Sequence, residues 1–196
     1  MEYDLTKLTP DIRHLDDMRE VLYDKDFAKT SPNIELYFMY RKVKHENNLN
    51  YNITITLAKM LGEEFNKTKG HVHIGNYQEI YTVLEGRAIF LMQKGDSNKI
   101  EDVYAVEAKA GESAIIPSEY GHITINPSEI ENLKTEDWSS ENCKSDYSLF
   151  VQMQGGCYYY TKHGWIKNEN YKLVPELRFE DSLKSAPQDL NFLKQE

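Results

Sequence analysis

Hydrophobic residues at the start of the chain recur with a helical period. Thr9 and Pro10 fit the N-cap and the first position of a helix, where a missing backbone N–H costs nothing. The apolar residues that follow at three- or four-residue spacing are Ile12, Leu15, Met18 and Leu22. The pattern predicts one amphipathic helix in a short N-terminal extension.

Beyond about residue 34 the period changes to two. Apolar and polar residues alternate over 34–40 and again over 51–57, which is typical of strands with one buried face. Glycine and Asx turn signals separate many of the further strand candidates, which are 79–85, 87–94, 102–108, 112–117, 121–126, 147–154 and 157–162. Many short strands at regular spacing predict an all-β sandwich or barrel.

Two segments lack this alternation. Residues 127–146 are polar and charged and predict a loop, and the polar chain after about residue 180 is expected to pack loosely or to be disordered. The length of 196 residues suits one domain, residues 1–196. We divide it into an N-terminal extension (1–33), a barrel (34–165) and a peripheral, helical or irregular C-terminal extension (166–196).

Charge and composition limit the classes of partner that we expect for this protein. The net charge of −9 repels phosphate backbones, so no nucleic-acid partner is expected. No stretch has the roughly 20 apolar residues of a membrane helix, so no membrane partner is expected. The N-terminus is charged from residue 2, and Cys143 and Cys157 are too few for a disulfide framework. We therefore expect a cytoplasmic protein with reduced thiols.

Three histidines and one glutamate form a pattern with metal-ligand chemistry. His71 and His73 are two residues apart, so they share one face of a strand. Glu79 opens the next predicted strand after a turn, and His122 follows a turn that contains Pro117. An isolated His-x-His pair is common in proteins that bind no metal. The complete order of ligands, however, predicts a borderline N/O site that suits Fe²⁺, Mn²⁺, Ni²⁺, Co²⁺ or Zn²⁺.

The two halves of this pattern resemble the two motifs of the cupin superfamily. The first half is Gly70-His71-Val72-His73, then Glu79 and, after six residues, Gly86. The second half runs from Gly111 through Pro117 and His122 to Asn126. The resemblance implies a jelly-roll β-barrel, a fold that serves many different activities.

A narrower resemblance covers roughly residues 34–165. Thr68 to His73 followed by Glu79-Ile80-Tyr81 resembles the T-x-G-H-x-H…E-x-Y signature of the archaeal-type, metal-dependent glucose-6-phosphate isomerases. Ile116 to Asn126 is similar to the second motif of that family. The resemblance implies interconversion of glucose 6-phosphate and fructose 6-phosphate, as in glycolysis and gluconeogenesis. It also implies a homodimer with one divalent ion per subunit, for which Fe²⁺ is our choice.

Within that hypothesis, Glu79 is the candidate for moving a proton between C1 and C2 of the sugar. A hydride shift assisted by the metal would leave Glu79 as a ligand only, and the sequence does not separate the two routes. Tyr81 has the strand parity of Glu79 and is a second catalytic candidate. A position in the core is equally consistent with its pattern.

Several residues are candidates for binding the sugar or its phosphate. Thr68 and Gly70 precede the first ligand and can offer a hydroxyl and backbone N–H groups to phosphate oxygens. Thr54 and Thr56 lie opposite the apolar face of their strand, so they line a cavity or face solvent. Tyr158 and Tyr160 share one strand face and are substrate or core residues.

Two other functions use the same ligands. An Fe²⁺-dependent dioxygenase would bind O2 at an open coordination position. A non-catalytic sugar-binding cupin would bind without turnover and would normally carry a DNA-binding or partner domain. The turn from Thr68 to Gly70 favours the phosphosugar hypothesis. The strand candidate at 34–41 lies outside the motifs and is a candidate for pairing between subunits.

Overall fold

Short β-strands dominate the computed structural model, which describes residues 3–194. The strands are β1 (Asp11–His14), β2 (Glu35–Glu46), β3 (Leu49–Thr56), β4 (Met60–Leu61), β5 (Glu64–Phe65), β6 (Val72–Ile74), β7 (Glu79–Glu85), β8 (Arg87–Gly95), β9 (Ile100–Lys109), β10 (Ser113–Ile116), β11 (Gly121–Ile125), β12 (Leu133–Ser140), β13 (Lys144–Asp146), β14 (Tyr158–Thr161), β15 (Gly164–Lys167) and β16 (Arg178–Asp181). The α-helices are α1 (Lys25–Thr30) and α2 (Ser148–Gln152), and 3-10 turns occur at Leu5–Lys7, Leu15–Asp17, Arg19–Val21 and Asn191–Lys194.

Two sheets face each other and form a barrel, as the alternating pattern predicts, of the jelly-roll type that the cupin resemblance implies. One has the strand order β1-β2-β3-β12-β7-β10, and the other has the order β11-β8-β9-β16. Small sheets of β6 with β13, and of β4, β5, β14 and β15, complete the structure. Apart from the parallel pair β9–β16, the paired strands are antiparallel.

The interior core fills one end of the barrel between the two sheets. It joins β7, β10 and β12 of the first sheet to β8 and β9 of the second. The fully buried members include Val83, Phe90, Met92 and Ile116. Because apolar side chains fill this end, the polar side chains of the same inner faces are gathered at the other end.

Both sheets are covered on their outer faces. The outer face of the sheet β11-β8-β9-β16 is covered by Phe150 of α2, Cys157 and Tyr171. Leu193, near the end of the chain, packs on Leu49 and Ile80 of the six-stranded sheet. Up to residue 194 the polar C-terminal segment therefore packs on the sheets, and its strand β16 pairs with β9, which corrects the expectation of a loose tail for these residues.

The N-terminal helix predicted from residues 9–22 is absent among the described residues. Asp11–His14 instead forms β1, which pairs antiparallel with β2 and so satisfies its backbone hydrogen bonds. Leu15, Met18 and Leu22 are fully buried, as one apolar face requires, but they reach the core from 3-10 turns. A short helix, α1, follows, and Asp24 caps it by accepting a hydrogen bond from the backbone N–H of Phe27 at 2.9 Å.

Two further predictions were wrong. Residues 127–146 are not a loop, because they contain β12, which pairs with β3 on one side and β7 on the other. Residues 147–154 are not a strand, because they contain the helix α2. The predicted strand at 79–85 coincides with β7, and the other predicted strands overlap β2, β3, β8, β9, β10, β11 and β14.

No helix within residues 3–194 has the length and apolar character needed to cross a membrane.

Candidate metal centre

Four side chains from three parts of the barrel converge at its open end. His71 directly precedes β6, His73 lies within β6, Glu79 is the first residue of β7, and His122 lies in β11. Each of the four offers one donor atom, and these four atoms lie within 4.8 Å of one another. The convergence of these residues is what the sequence pattern predicts.

Backbone hydrogen bonds join two of these ligands directly. The N–H of His122 donates to the carbonyl of His71 at 3.0 Å, and the N–H of His71 donates in return at 3.3 Å. The two imidazole centroids are 4.4 Å apart. The segment before β6 therefore runs beside β11, and this pairing brings residues 51 positions apart to one centre.

Two glycines let an aromatic ring pack beneath these ligands. Gly70 has a φ of +82°, and a Cβ there would lie 2.6 Å from the ring of Phe150. A Cβ on Gly121 would lie 2.8 Å from the same ring. Phe150 is fully buried, so a side chain at either glycine would push against a packed core. Gly70 is thus required for both its conformation and its close contact.

The donor atoms have the spacing of a metal shell. Oε2 of Glu79 lies 3.3 Å from Nε2 of His73 and 3.2 Å from Nε2 of His122. Ligand atoms that lie about 2.1 Å from one ion are roughly 3 to 4 Å from each other. Within the described residues, buried Oε2 of Glu79 has no hydrogen-bond partner. An orphaned carboxylate oxygen facing imidazole nitrogens fits a cation at this centre.

Burial and mutual contact set the protonation of the cluster. Burial, together with the neighbouring His122, lowers the pKa of His71 well below its usual value. Burial also lowers the pKa of His122. Burial alone would raise the pKa of Glu79, but its contacts with His122 and His73 hold that pKa well below the ordinary value. Against the effect of burial, contacts with Cys143 and Glu79 raise the pKa of His73 to about 11. A divalent ion needs neutral imidazoles and an ionised carboxylate, so its binding would displace a proton from His73.

One ligand is oriented by the backbone next to it. Nδ1 of His73 lies 3.1 Å from the carbonyl oxygen of Tyr77, so an Nδ1–H donates to that oxygen and Nε2 faces the cluster. Such an outer hydrogen bond fixes the tautomer and the ring orientation of a metal-ligating histidine. The turn between β6 and β7 therefore positions His73 as well as Glu79.

A second carboxyl group, which the sequence analysis missed, lies beside the cluster. Asp137 of β12 is 5% exposed and is directly opposite Tyr81 of β7. Nδ2 of Asn52 donates to Oδ2 of Asp137 at 2.6 Å. Burial and the negative charge of Glu79 raise the pKa of Asp137 well above its usual value. Burial likewise raises the pKa of Tyr81, whose hydroxyl is 3.4 Å from Nε2 of His122.

A cavity of about 290 Å³ opens to solvent here, and its lining includes His71, His73, Glu79, Tyr81 and Asp137. His122 is buried beside it. That volume is near the lower end of the range for small-molecule sites. Its walls include Thr54, Thr68 and Gly70, three of the residues proposed to bind the sugar or its phosphate. The sequence pattern did not decide whether the polar face of β3 meets a cavity or solvent. At Thr54 this face lines the cavity.

Three other predicted substrate residues lie outside this cavity. Thr56 is 1% exposed and is a cross-strand neighbour of Tyr37 and Leu133, below the cavity. Tyr158 packs on the outer face of the sheet β11-β8-β9-β16. Its hydroxyl donates to the carbonyl of Pro175 at 2.8 Å. Tyr160 stacks on Phe65 beside the same core cluster. Their positions correct the proposal that these residues contact substrate, because the sheet separates the two tyrosines from the ligands.

The cavity also has walls that no local motif indicated. They come from the middle of β2, from β3, from β12 and from the segment that leads through β13 to α2. The residues concerned are Tyr37, Met39, Arg41, Lys42, Asn52, Asp137, Ser139, Cys143, Ser145 and Tyr147. Alternation along β12 would have indicated its inward face, had the segment been recognised as a strand.

Comparison with known proteins places the chain among known enzymes. A family model described as glucose-6-phosphate isomerase matches residues 12–176. The chain is similar to the glucose-6-phosphate isomerase of Thermococcus gammatolerans, at 26% identity over 120 residues, which is 59% of this chain and 61% of the relative. It is also similar to that of Thermococcus litoralis, at 26% identity over 121 residues, 59% of this chain and 62% of the relative. The matches thus span about three fifths of these relatives.

Solved structures give weaker likenesses. A recombinant oxalate oxidase in complex with glycolate has a TM-score of 0.45 and 17% identity, over 57% of this chain and 55% of the other. A vicilin from Solanum melongena has a TM-score of 0.46 and 8% identity, over 74% of this chain and 33% of the other.

Proposed function

The chain belongs to the glucose-6-phosphate isomerase family, and from that membership and the ligand cluster we propose that it interconverts glucose 6-phosphate and fructose 6-phosphate. The observation that carries the proposal is the convergence of three imidazoles and one orphaned carboxylate oxygen at a polar cavity, which His71, His73 and Glu79 line. Fold membership alone would not support it, because one fold serves many activities.

We propose that His71, His73, Glu79 and His122 hold one divalent ion per subunit, with Fe²⁺ as the first candidate. The same donors accept Mn²⁺, Ni²⁺, Co²⁺ or Zn²⁺, since affinity alone does not separate these ions. When bound, such an ion polarises the sugar carbonyl and stabilises the negative charge that develops on the sugar oxygens.

The protein's own groups would then carry the proton. Glu79 takes a proton from C2 of glucose 6-phosphate and returns it to C1, while the proton of the C2 hydroxyl passes to O1, so that the aldehyde becomes an alcohol and C2 becomes the ketone. Tyr81 keeps its phenolic proton, because burial raises its pKa, and its hydroxyl can donate a hydrogen bond to a sugar oxygen. In the other route a hydride moves directly from C2 to C1, and Glu79 remains a ligand.

We propose that Thr54, Thr68 and Gly70 bind and orient the substrate from the cavity wall. The hydroxyl oxygen of Thr68 accepts a hydrogen bond from the N–H of Thr124 at 3.0 Å, which leaves its proton free to donate. A hydroxyl held in this way is a directed donor for a phosphate or sugar oxygen. Lys69, next in sequence, is paired with Glu20 at 2.7 Å.

The experiment compares the wild type with His71→Ala and with His45→Ala as a matched control. His45 is exposed and lies outside the cavity. We expect conversion of fructose 6-phosphate by the wild type and by His45→Ala, and loss of at least a hundredfold in His71→Ala. Wild-type protein that is inactive on fructose 6-phosphate with each of the five ions would overturn the assignment. If the wild type is active, deuterium incorporation at C1 or C2 during turnover in D2O would favour the route through Glu79.

The same hypothesis also implies a cellular location, a metabolic role and an oligomeric state. We propose a cytoplasmic homodimer that acts on sugar phosphates in glycolysis and gluconeogenesis. Light scattering would give the mass of the assembly, which should be twice the 22.9 kDa of one chain.

A further inference from the structure

An irregularity in β2 places two cationic side chains at the cavity. Tyr40 pairs with Ile53 of β3, but the next paired residues are Lys44 and Tyr51. Residues 41–43 therefore face the single residue Asn52, which is a β-bulge with two extra residues. Bulges next to active sites redirect side chains, and here Arg41 and Lys42 line the cavity.

The bulge is held in a strained conformation by a side chain of the cavity wall. Lys42 has a φ of +53°, which costs a residue with a Cβ roughly 1 kcal/mol or more. Oδ1 of Asn52 accepts a hydrogen bond from the N–H of Lys42 at 2.8 Å, while its Nδ2 donates to Asp137. Such strain persists where surrounding contacts fix it, and it is concentrated at functional sites.

The charges of the bulge are available to a ligand. Among residues 3–194 the ammonium group of Lys42 has no ion-pair partner. Arg41 pairs with Asp11 at 2.9 Å, but both side chains are at least half exposed, and such pairs contribute about 0–1 kcal/mol. By contrast, Lys69 on the opposite wall is 14% exposed and is held by Glu20.

The cavity itself needs a cation if its ligand is an anion. Glu79, Asp137 and Glu141 all line it, while Thr54, Thr68 and Gly70 offer only neutral donors. A phosphate monoester carries nearly two negative charges at pH 7, so neutral donors alone would leave it against a wall of carboxyl groups.

We propose that the bulge formed by Arg41 and Lys42, fixed by Asn52, is the element that selects phosphorylated over free sugars. This inference rests on the proposed function and specifies how its substrate is recognised. The guanidinium group offers paired N–H donors to phosphate oxygens, and the ammonium group adds a point charge. The metal cluster deeper in the cavity then meets the carbonyl end of the same molecule.

The variants for the test are Arg41→Gln, Lys42→Gln and the double substitution. Lys44→Gln removes the same charge from the same strand, but Lys44 is paired with Glu46 and lies outside the cavity, so it is the control. We expect KM for fructose 6-phosphate to rise about tenfold in the double variant, with kcat within twofold of the wild type. The control should change KM less than twofold.

A binding measurement separates this inference from the proposed function. Calorimetry with fructose 6-phosphate and with fructose should show tighter binding of the phosphate in the wild type, and the double variant should lose most of that difference. This result would support the bulge even if the wild type proved unable to isomerise the sugar. The inference is overturned if the variants weaken both sugars equally, if kcat falls with KM unchanged, or if Lys44→Gln has the same effect.

Discussion

Lys67 and Glu64 form an ion pair that is almost excluded from solvent, since their side chains are 2% and 1% exposed. The ammonium group of Lys67 also donates to the carbonyl of Val21 at 3.0 Å, and Glu64 accepts from the N–H of Tyr23 at 2.9 Å. The pair thus ties the N-terminal segment to the chain just before Thr68. Its loss is expected to affect stability as well as the cavity wall.

Replacing one partner leaves the other charge buried without compensation. We predict that Lys67→Met lowers the free energy of unfolding by about 3–5 kcal/mol, measured by urea denaturation. The double variant Lys67→Met with Glu64→Gln should recover at least half of this loss, because the amide oxygen can still accept from Tyr23. A single variant within 1 kcal/mol of the wild type would contradict the role given to this pair.

Tyr81 has a ring in the interior core and a hydroxyl at the metal cluster. Tyr81→Phe should therefore keep the stability of the protein and lower kcat at least tenfold, since only the donor is lost. Tyr104→Phe is the control, because Tyr104 belongs to the same core and lies outside the cavity. Unchanged kcat in Tyr81→Phe would show that the hydroxyl has no part in the reaction.

The sequence was sufficient to predict the four side chains that cluster but insufficient to find their buried neighbour. His71 and His73 share a strand face by local alternation, and Glu79 follows in the next strand. Asp137 reaches Glu79 only because β12 pairs with β7, and the register of that pairing is not encoded in any local pattern. The same holds for Arg41, whose direction depends on the bulge opposite Asn52.

At the scale of elements, the main error was the segment that forms β12. Its sequence, Leu-Lys-Thr-Glu-Asp-Trp-Ser-Ser, has few apolar residues, because its inward face lines a polar cavity where a typical strand would meet a core. Hydrophobic alternation detects strands that face an apolar core, so it finds β7 and β8 and misses β12. The polar character of β12 is therefore a consequence of its position in the cavity wall next to the candidate ligands.

The two incorrect helix and strand assignments have different reasons. The apolar residues at 15, 18 and 22 are consistent with a helix, yet the edge of β2 offers hydrogen bonds to residues 11–14 and draws them into the sheet. Residues 148–152 contain β-branched and aromatic side chains but form a helix, because Phe150 must reach the space beneath Gly70 and Gly121. In both cases tertiary contacts outweigh local preference.

A carboxylate next to β10 helps to attach the C-terminal segment, in addition to the backbone hydrogen bonds between Ser113 and Leu183. Glu112 accepts hydrogen bonds from Ser182 at 2.8 Å and from Lys184 at 2.9 Å. Contacts with Lys184 and then Ser182 lower the pKa of Glu112 from 4.5 to about 2. Because its folded pKa is depressed, the carboxylate stabilises the folded state fully above pH 4.5, and this contribution is lost as the pH falls towards 2.

We therefore predict a pH-dependent difference between the wild type and Glu112→Gln. The wild type should have the higher urea midpoint between pH 5 and 7, and the difference should shrink below about pH 4.5. Comparing the two proteins at each pH cancels the titration of other groups. A difference that stays constant or grows at low pH would contradict the attachment through Glu112.

For the whole molecule, the two facing sheets divide the interior into an apolar end and a polar end. Packing at the apolar end holds β7 and β8 in place, and β11 pairs antiparallel with β8. These contacts fix where Glu79 and His122 project. The N-terminal segment and α2 close the outside behind the ligands. One ion at the polar end would thus bind to groups from separate strands, so its binding free energy would add to folding stability.

The most direct measurement is a titration of metal-free protein with Fe²⁺ under anaerobic conditions, or with Mn²⁺, while turnover of fructose 6-phosphate is followed. The account predicts no turnover without metal, a linear rise, and a plateau at one ion per chain. His122→Ala should stay inactive at the same equivalents. Full turnover in the metal-free protein, or none with any of the ions, would contradict the central claim.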